Sequence, residues 1–281
     1  MTEKTVKTKN TSWEATIVAR NPNRPYFSDY AKGVFTDFVE LHGDRRFSDD
    51  KAICGGFARL DGKPIMLIGH NKGGIDVHQK AEHRFGMALP DGYRKALRLM
   101  ELAQKFNIPI ITLIDTSGAY PGIEGEERGQ AEAIARNLVE MTKLQVPVLC
   151  VVVGEGGSGG ALGIGVGDCV MMLENAVYSV ISPEGCAGIL WRDGAKAEFA
   201  ANALKITAND LLSFGIIDRI IEEPKNGAHS NHAQTFENVK KALIEEIEKL
   251  EKPTPQKRAL ARIEKFSKMG VYSEEKIIER I

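Results

Sequence analysis

Val146-Pro-Val-Leu-Cys-Val-Val-Val153, continued by Gly154-Glu-Gly-Gly-Ser-Gly-Gly-Ala161, decides how this chain folds. The first half is an unbroken apolar, β-branched run, the pattern of a strand buried on both faces of a parallel sheet. The second half is too glycine-dense for a regular element, since each Gly costs about 1 kcal/mol relative to Ala there. A bare backbone at the carboxyl end of a buried strand offers N–H groups where α/β sheets bind their ligands. An anion, or an oxyanion developing during a reaction, suits such a backbone. Close packing of one backbone on another is the rival reading of the same glycines.

Upstream, Ile108 to Ile114 repeats the theme and ends in Asp115-Thr116-Ser117-Gly118-Ala119-Tyr120-Pro121-Gly122. Small residues there admit a ligand to the backbone, and equally make a turn. Further strands are expected over 52–60 and 64–70, joined by the turn dipeptide Asp61-Gly62, and over 169–173, 177–181 and 216–221. Apolar spacings of three and four predict helices over 26–41, 91–106 (with Asp91 as cap), 126–144 and 236–250. Helices are also expected over 195–204, after the capping-type Thr207 to Asp210, and in a tail carrying Leu260, Ile263 and Phe266. Residues 71–89 read as an excursion loop. Strands alternating with helices predict an α/β fold with a largely parallel sheet, in a recurring strand-strand-helix cadence. The division expected is a flexible segment over 1–19, one domain over 20–232 and C-terminal helices over 233–281.

Composition narrows the function classes. The 281 residues carry 37 Lys plus Arg against 38 Asp plus Glu, a net charge of −1. No overall field draws such a chain to nucleic acid or to an anionic membrane. Cys54, Cys150, Cys169 and Cys186 form no CxxC pair, which argues for reduced, buried thiols and against zinc. The first residues lack an apolar signal region, and the apolar stretch 146–173 is interrupted by Glu155, Ser158 and Asp168. A cytoplasmic location is expected.

The glycine run touches several known patterns. Gly154, Gly156 and Gly159 fit GxGxxG, with Glu174 downstream, but too few residues follow before Asp168 for a Rossmann crossover helix. No Lys-Ser/Thr pair follows the glycines, which excludes a P-loop. Gly156-Gly-Ser158-Gly-Gly160 fits the GxSxG nucleophile elbow, with Asp168 or Asp218 and His229 or His232 in hydrolase order. Glu124, Glu127 and Glu155 are the glutamates a stand-alone acyl-CoA hydratase or isomerase would need. Lys72, His78, Lys80, His83, Arg84, Arg94, Lys95 and Arg98 form a basic stretch suited to phosphates or an acidic partner. The segment ending at Trp191 fits a subunit contact or ordinary core.

Taken together, Arg20-Asn-Pro-Asn-Arg-Pro-Tyr26, Gly43-Asp44-Arg45, Asp49-Asp-Lys-Ala-Ile53, Ile68-Gly-His-Asn-Lys-Gly73, Phe85-Gly-Met87 and Gly92-Tyr-Arg-Lys-Ala-Leu-Arg-Leu-Met100 are a specific set. With Ile114 to Gly122, Gly154 to Ala161 and Ser182-Pro-Glu-Gly-Cys186, they closely resemble the carboxyltransferase alpha subunit of bacterial acetyl-CoA carboxylase. The resemblance covers about residues 20–232. Ser117 stands where the family usually has Pro, a change that leaves backbone donors in place, and the family's longer helical N-terminal extension is mostly missing. The resemblance implies a crotonase-like (ClpP/crotonase) spiral of strand-strand-helix units. It implies transfer of a carboxyl group from carboxybiotin, held on biotin carboxyl carrier protein, to acetyl-CoA, giving malonyl-CoA for fatty acid synthesis. It implies a site shared with a beta subunit that bears the zinc ribbon, in an alpha2beta2 assembly served by biotin carboxylase. It implies no cofactor bound covalently to this chain and no metal held by it. By the resemblance, Gly159, Gly160 and Ala161 donate backbone N–H groups, and Gly118 and Ala119 form the neighbouring wall. Gly157, Ser158 and Tyr120 line the substrate site, and Arg94 and Lys95 are contacts for CoA or the carrier.

Overall fold

The structure, a computed structural model, describes residues 11–271. Thr11 opens α1 (Ser12–Ala19) with a capping box closed by Glu14, and α2 (Phe27–Gly33) follows. Edge strand β1 (Thr36–Glu40) leads to β2 (Ile53–Leu60) and β3 (Lys63–His70), a hairpin turning on Asp61 and Gly62, both at positive φ. Next come α3 (Val77–Glu82), α4 (Pro90–Phe106) and β4 (Ile110–Thr116). Helices α5 (Ile123–Glu127) and α6 (Gln130–Lys143) return the chain to β5 (Val148–Gly157), which turns directly into α7 (Ser158–Leu162). Strands β6 (Cys169–Leu173) and β7 (Val177–Ser179) precede α8 (Pro183–Trp191), α9 (Ala197–Leu204) and α10 (Ala208–Ser213). Strand β8 (Arg219–Ile221) and helices α11 (His232–Leu250) and α12 (Pro255–Ser267) complete the described chain.

One sheet runs in the order β1-β2-β3-β4-β5-β6-β8, with β7 added against the end of β5. The β1–β3 edge is antiparallel, and every pairing from β3 onward is parallel. The central strands β4 and β5 are buried on both faces, as their apolar runs require. Val239, Leu243 and Ile247 of α11 join the same core.

Some expectations are corrected. The pattern over 26–41 is two elements, because Val39 and Glu40 pair with Phe57 and Gly56. Apolar residues four apart fit a helix face, but this pairing decides the second half as strand. Residues 12–19 are a helix with Ala15 and Ala19 buried rather than a flexible segment, while residues 1–10 lie outside the described residues. The excursion over 71–89 contains α3, capped by Asp76. Asp91 does not cap α4; Leu89 holds that position without a side-chain bond, and Asp91 is buried in an ion pair. Gly129, at φ +81, divides the expected helix over 126–144.

Candidate active site

Because β4 and β5 are parallel neighbours, their carboxyl ends bring the two suspected loops side by side. They meet backbone to backbone. A Cβ on Gly157 would stand 2.1 Å from the Ser117 carbonyl oxygen, and one on Gly160 would stand 2.5 Å from the Ala119 nitrogen and the Gly118 carbonyl carbon. Glycine at these two positions is therefore a condition of the contact. Close packing and an open backbone, the two rival readings of the run, are the same feature. The Thr116 hydroxyl accepts from the Gly118 N–H at 3.1 Å and donates to the Gly118 carbonyl at 2.7 Å, folding the facing loop. Ser158 turns the chain from β5 into α7 at φ +49. At the start of a helix the first amides have no partner within it, which here leaves those of Ser158, Gly159 and Gly160; Ala161 is the first able to close onto Gly157. Tyr120 is half-buried beneath the Arg84 guanidinium, 5.9 Å above its ring.

A chain of charges borders the loops. The Lys72 ammonium reaches Asp115 at 2.6 Å and Glu155 at 3.5 Å, and Glu155 accepts from Arg20 at 2.7 Å. Arg20 also holds Glu184 on α8 at 2.6 Å. Asp115 accepts the Glu155 backbone N–H at 2.9 Å, tying β4 to the start of the glycine run. Burial opposes the charges of Lys72 and Arg20, but their carboxylate partners outweigh it and hold both pKa values above the ordinary range. A cleft of about 220 Å³ opens here, lined by Arg20, Tyr26, Lys72, Phe85, Ser117 and Glu155. Beneath it Arg24 is buried against Glu223 at 2.7 Å and donates to the Val153 carbonyl at 2.8 Å.

Other expected residues are elsewhere or otherwise engaged. Arg94 is tied to Asp44 and Asp91, and Lys95, fully buried, to Asp49 and the Asp50 carbonyl. Their charges brace α4 against the 44–50 loop. Ser158 has no histidine within hydrogen-bond reach among the described residues. Asp168 is paired with Arg262, Asp218 with Lys265, and His232 meets the Asn23 carbonyl, so no Ser-Asp-His unit assembles. Glu155 is ion-paired, and Glu124 and Glu127 are exposed on α5, so these three glutamates form no acid-base pair for a hydratase among the described residues. The four cysteines are buried and unpaired. Burial pushes the Cys54, Cys150 and Cys169 thiols up to about 12, about 11 and about 12. Among the described residues no cluster of His, Cys, Asp or Glu is arranged to hold a metal, and no helix is long and apolar enough to cross a membrane.

Sequence reasoning assigned no role to Arg20, Arg24, Asp115 or Glu223. The available signal was positional: Asp115 follows the apolar run 110–114 and Glu223 lies just past β8, and a carboxylate at the end of a buried strand needs a partner.

The family model described as acetyl co-enzyme A carboxylase carboxyltransferase-like matches residues 1–270. The acetyl-coenzyme A carboxylase carboxyl transferase subunit alpha of Chlorobium phaeovibrioides is 58% identical over 271 residues, covering 94% of this chain and 81% of the relative. That of Geobacter metallireducens is 56% identical over 262 residues, covering 93% and 82%. Among solved structures, transcarboxylase 12S aligns with a TM-score of 0.64 at 18% identity, covering 96% of this chain and 47% of that one. A Pseudomonas malonate decarboxylase hetero-tetramer aligns with a TM-score of 0.62 at 15% identity, covering 78% and 86%. The structural likenesses establish the crotonase-like α/β fold, and the sequence match establishes the kinship: the chain belongs to the acetyl-CoA carboxylase carboxyltransferase family, among its alpha subunits.

Proposed function

We propose that this chain supplies one wall of a biotin-dependent carboxyltransferase site that moves a carboxyl group onto acetyl-CoA, giving malonyl-CoA. The observation that carries the reading is the contact of the 116–119 and 157–160 backbones, which sets the first amides of α7 beside the 116–119 loop while no side-chain acid-base pair is at hand among the described residues. Carboxybiotin, brought by its carrier protein, supplies the carboxyl group and a ureido nitrogen that takes up the acetyl proton.

The task left to the protein is electrostatic. As the carboxyl group leaves, negative charge gathers on the ureido oxygen, and the Gly159 and Gly160 amides receive it. Donors fixed in advance stabilise developing charge without reorganising, each typically worth about 3 kcal/mol. Gly118 and Ala119 form the facing wall, and Gly157, Ser158 and Tyr120 shape its approach. The Lys72-Asp115-Glu155-Arg20 chain holds both strand ends in register. A beta subunit completes the site for the thioester, and biotin carboxylase and the carrier protein feed it. Residues 20–232 carry the catalytic unit, with the C-terminal helices bracing it.

Malonyl-CoA decarboxylation with biocytin as acceptor tests the reading, run with this chain alone and with a beta subunit. Activity with both chains together is expected, and Gly160→Ala should lower kcat about 100-fold or more, because its Cβ, 2.5 Å from the Ala119 nitrogen, forces the donor turn out of place. Full activity of this chain alone, or of the Gly160→Ala complex, overturns it.

A further inference from the structure

Helix α6 touches both walls of the site with one face. Gln130, Ile134 and Asn137 follow one another at spacings of four and three, so they share that face, and the outer two stand about 10 Å apart along the axis. At the first position the Gln130 side-chain amide donates to the Ala88 carbonyl at 2.8 Å and to the Tyr120 carbonyl at 3.1 Å. The Tyr120 N–H donates to the same Ala88 carbonyl at 3.0 Å, which closes the end of the 116–120 loop in a bracket with the approach to α4. At the last position the Asn137 amide, fully buried, donates to the Gly163 carbonyl at 2.8 Å and to the Tyr93 carbonyl at 3.0 Å. The Gly163 N–H bonds the Gly159 carbonyl at 2.9 Å, which makes Gly163 part of the turn that presents the Gly159 and Gly160 amides. Between the two, Ile134 borders Gly159: a Cβ there would stand 3.7 Å from the Ile134 Cδ1. All four polar partners are carbonyls, which only accept, so each side-chain amide must turn its nitrogen toward them. Both side-chain oxygens are left buried without a hydrogen bond among the described residues, and both N–H pairs are committed to these carbonyls.

We propose that α6 is a strut that sets the gap between the two walls, with Gln130 and Asn137 as its positioning residues. A helix holds a fixed spacing over this distance, because its hydrogen-bonded turns set the rise per residue. Gln130 holds the wall of Gly118 and Ala119 at one end, and Asn137 holds the donor turn at the other. Neither residue lines the cleft between Arg20, Lys72 and Glu155, so both act through the two backbones. A backbone amide serves a developing oxyanion only when its place is fixed in advance, and a shift of about 1 Å in either wall is enough to lose it.

The inference rests on the oxyanion reading of Gly159 and Gly160, and the test separates the two. In the complex with the beta subunit, Gln130→Met keeps the length of the side chain and removes both donors. It should lower kcat for malonyl-CoA decarboxylation about 10- to 100-fold, with KM for malonyl-CoA within about 2-fold, because alignment is lost and not substrate contact. Asn137→Leu should do the same. Changes this far apart with no shared partner normally add. Because both variants loosen the same gap, their effects on kcat should fall well short of adding in the double variant, while their effects on the urea midpoint add. Gln130→Glu supplies a pH signature. Ionised, its carboxylate faces two carbonyls with no proton to give; protonated, it donates to one of them. Burial raises such a carboxyl, so its kcat relative to wild type should climb several-fold from about pH 8 to about pH 6, and Gln130→Met should show no such climb. Amide exchange read by mass spectrometry should quicken over 118–122 in Gln130→Met and over 159–165 in Asn137→Leu. Unchanged kcat in Gln130→Met, fully additive losses of kcat, or unchanged local exchange overturns the inference. If the wild-type complex has no decarboxylase activity, the functional reading fails, and the exchange data still decide whether α6 holds the walls. If Asn137→Leu does not fold, Asn137→Ser takes its place in the same comparisons.

Discussion

Gly157 accepts no side chain without moving the Ser117 carbonyl, which stands 2.1 Å from the site of its Cβ. Because the obstacle is backbone, Gly157→Ala should cost about 1–3 kcal/mol, the usual penalty of overpacking, read as a lower urea midpoint at unchanged slope. His70 makes a prediction about pH. Burial first, and Lys72 second, draw its pKa down from 6.5 to about 3. Above the ordinary histidine value both folded and unfolded states are neutral, and the contribution to stability is complete. As pH falls below that value the unfolded chain takes a proton that the folded chain refuses, so stability is lost until the folded value is reached. Between about pH 6 and 4 the wild type should lose up to about 1.4 kcal/mol per pH unit more than His70→Asn, measured by urea unfolding at stepped pH. The glycine run was legible in the sequence as either packing or function. Its partner Ser117 was not, because contact between separate loops leaves no local pattern.

At the scale of elements, α12 shows how far periodicity reaches. Its existence follows from the spacing of Leu260, Ile263 and Phe266, yet Leu260 and Ile263 are exposed. The residue that anchors it is Arg262, whose guanidinium is wholly buried against Asp168 at 2.6 Å and donates to the Met141, Leu144 and Val146 carbonyls. Asp168 in turn accepts the Val148 N–H at the start of β5. Arg262→Ala strands a buried carboxylate and three carbonyls, so a loss of about 3–5 kcal/mol in urea unfolding is expected. A charged face reads in sequence as a solvated one, and only packing reveals which charge points inward. The segment 26–41 carries the same lesson. Its apolar residues suit either period, and pairing with β2 made its second half a strand.

For the whole molecule, parallel order from β3 to β8 gathers the strand ends, the paired loops and the charge chain onto one side of the sheet. A site made of donors without a base is half a site, and we expect the second half from another chain. With the two chains mixed in equal amounts, specific decarboxylase activity should rise with concentration until the complex saturates. Activity strictly linear in this chain, with no dependence on its partner, would rule out a shared site.

The sequence by itself determined the buried strands, most helices, the glycine-dense loops and the family, because these are written in local periodicity and in residue types that admit few conformations. Tertiary structure alone decided which loops touch, which charges are buried, and that Arg94 and Lys95 brace α4. The physical reason is range. Side-chain period and backbone freedom act over a few residues, whereas ion pairs such as Arg20 with Glu155, Arg24 with Glu223 and Arg262 with Asp168 join positions that only the closed sheet brings together.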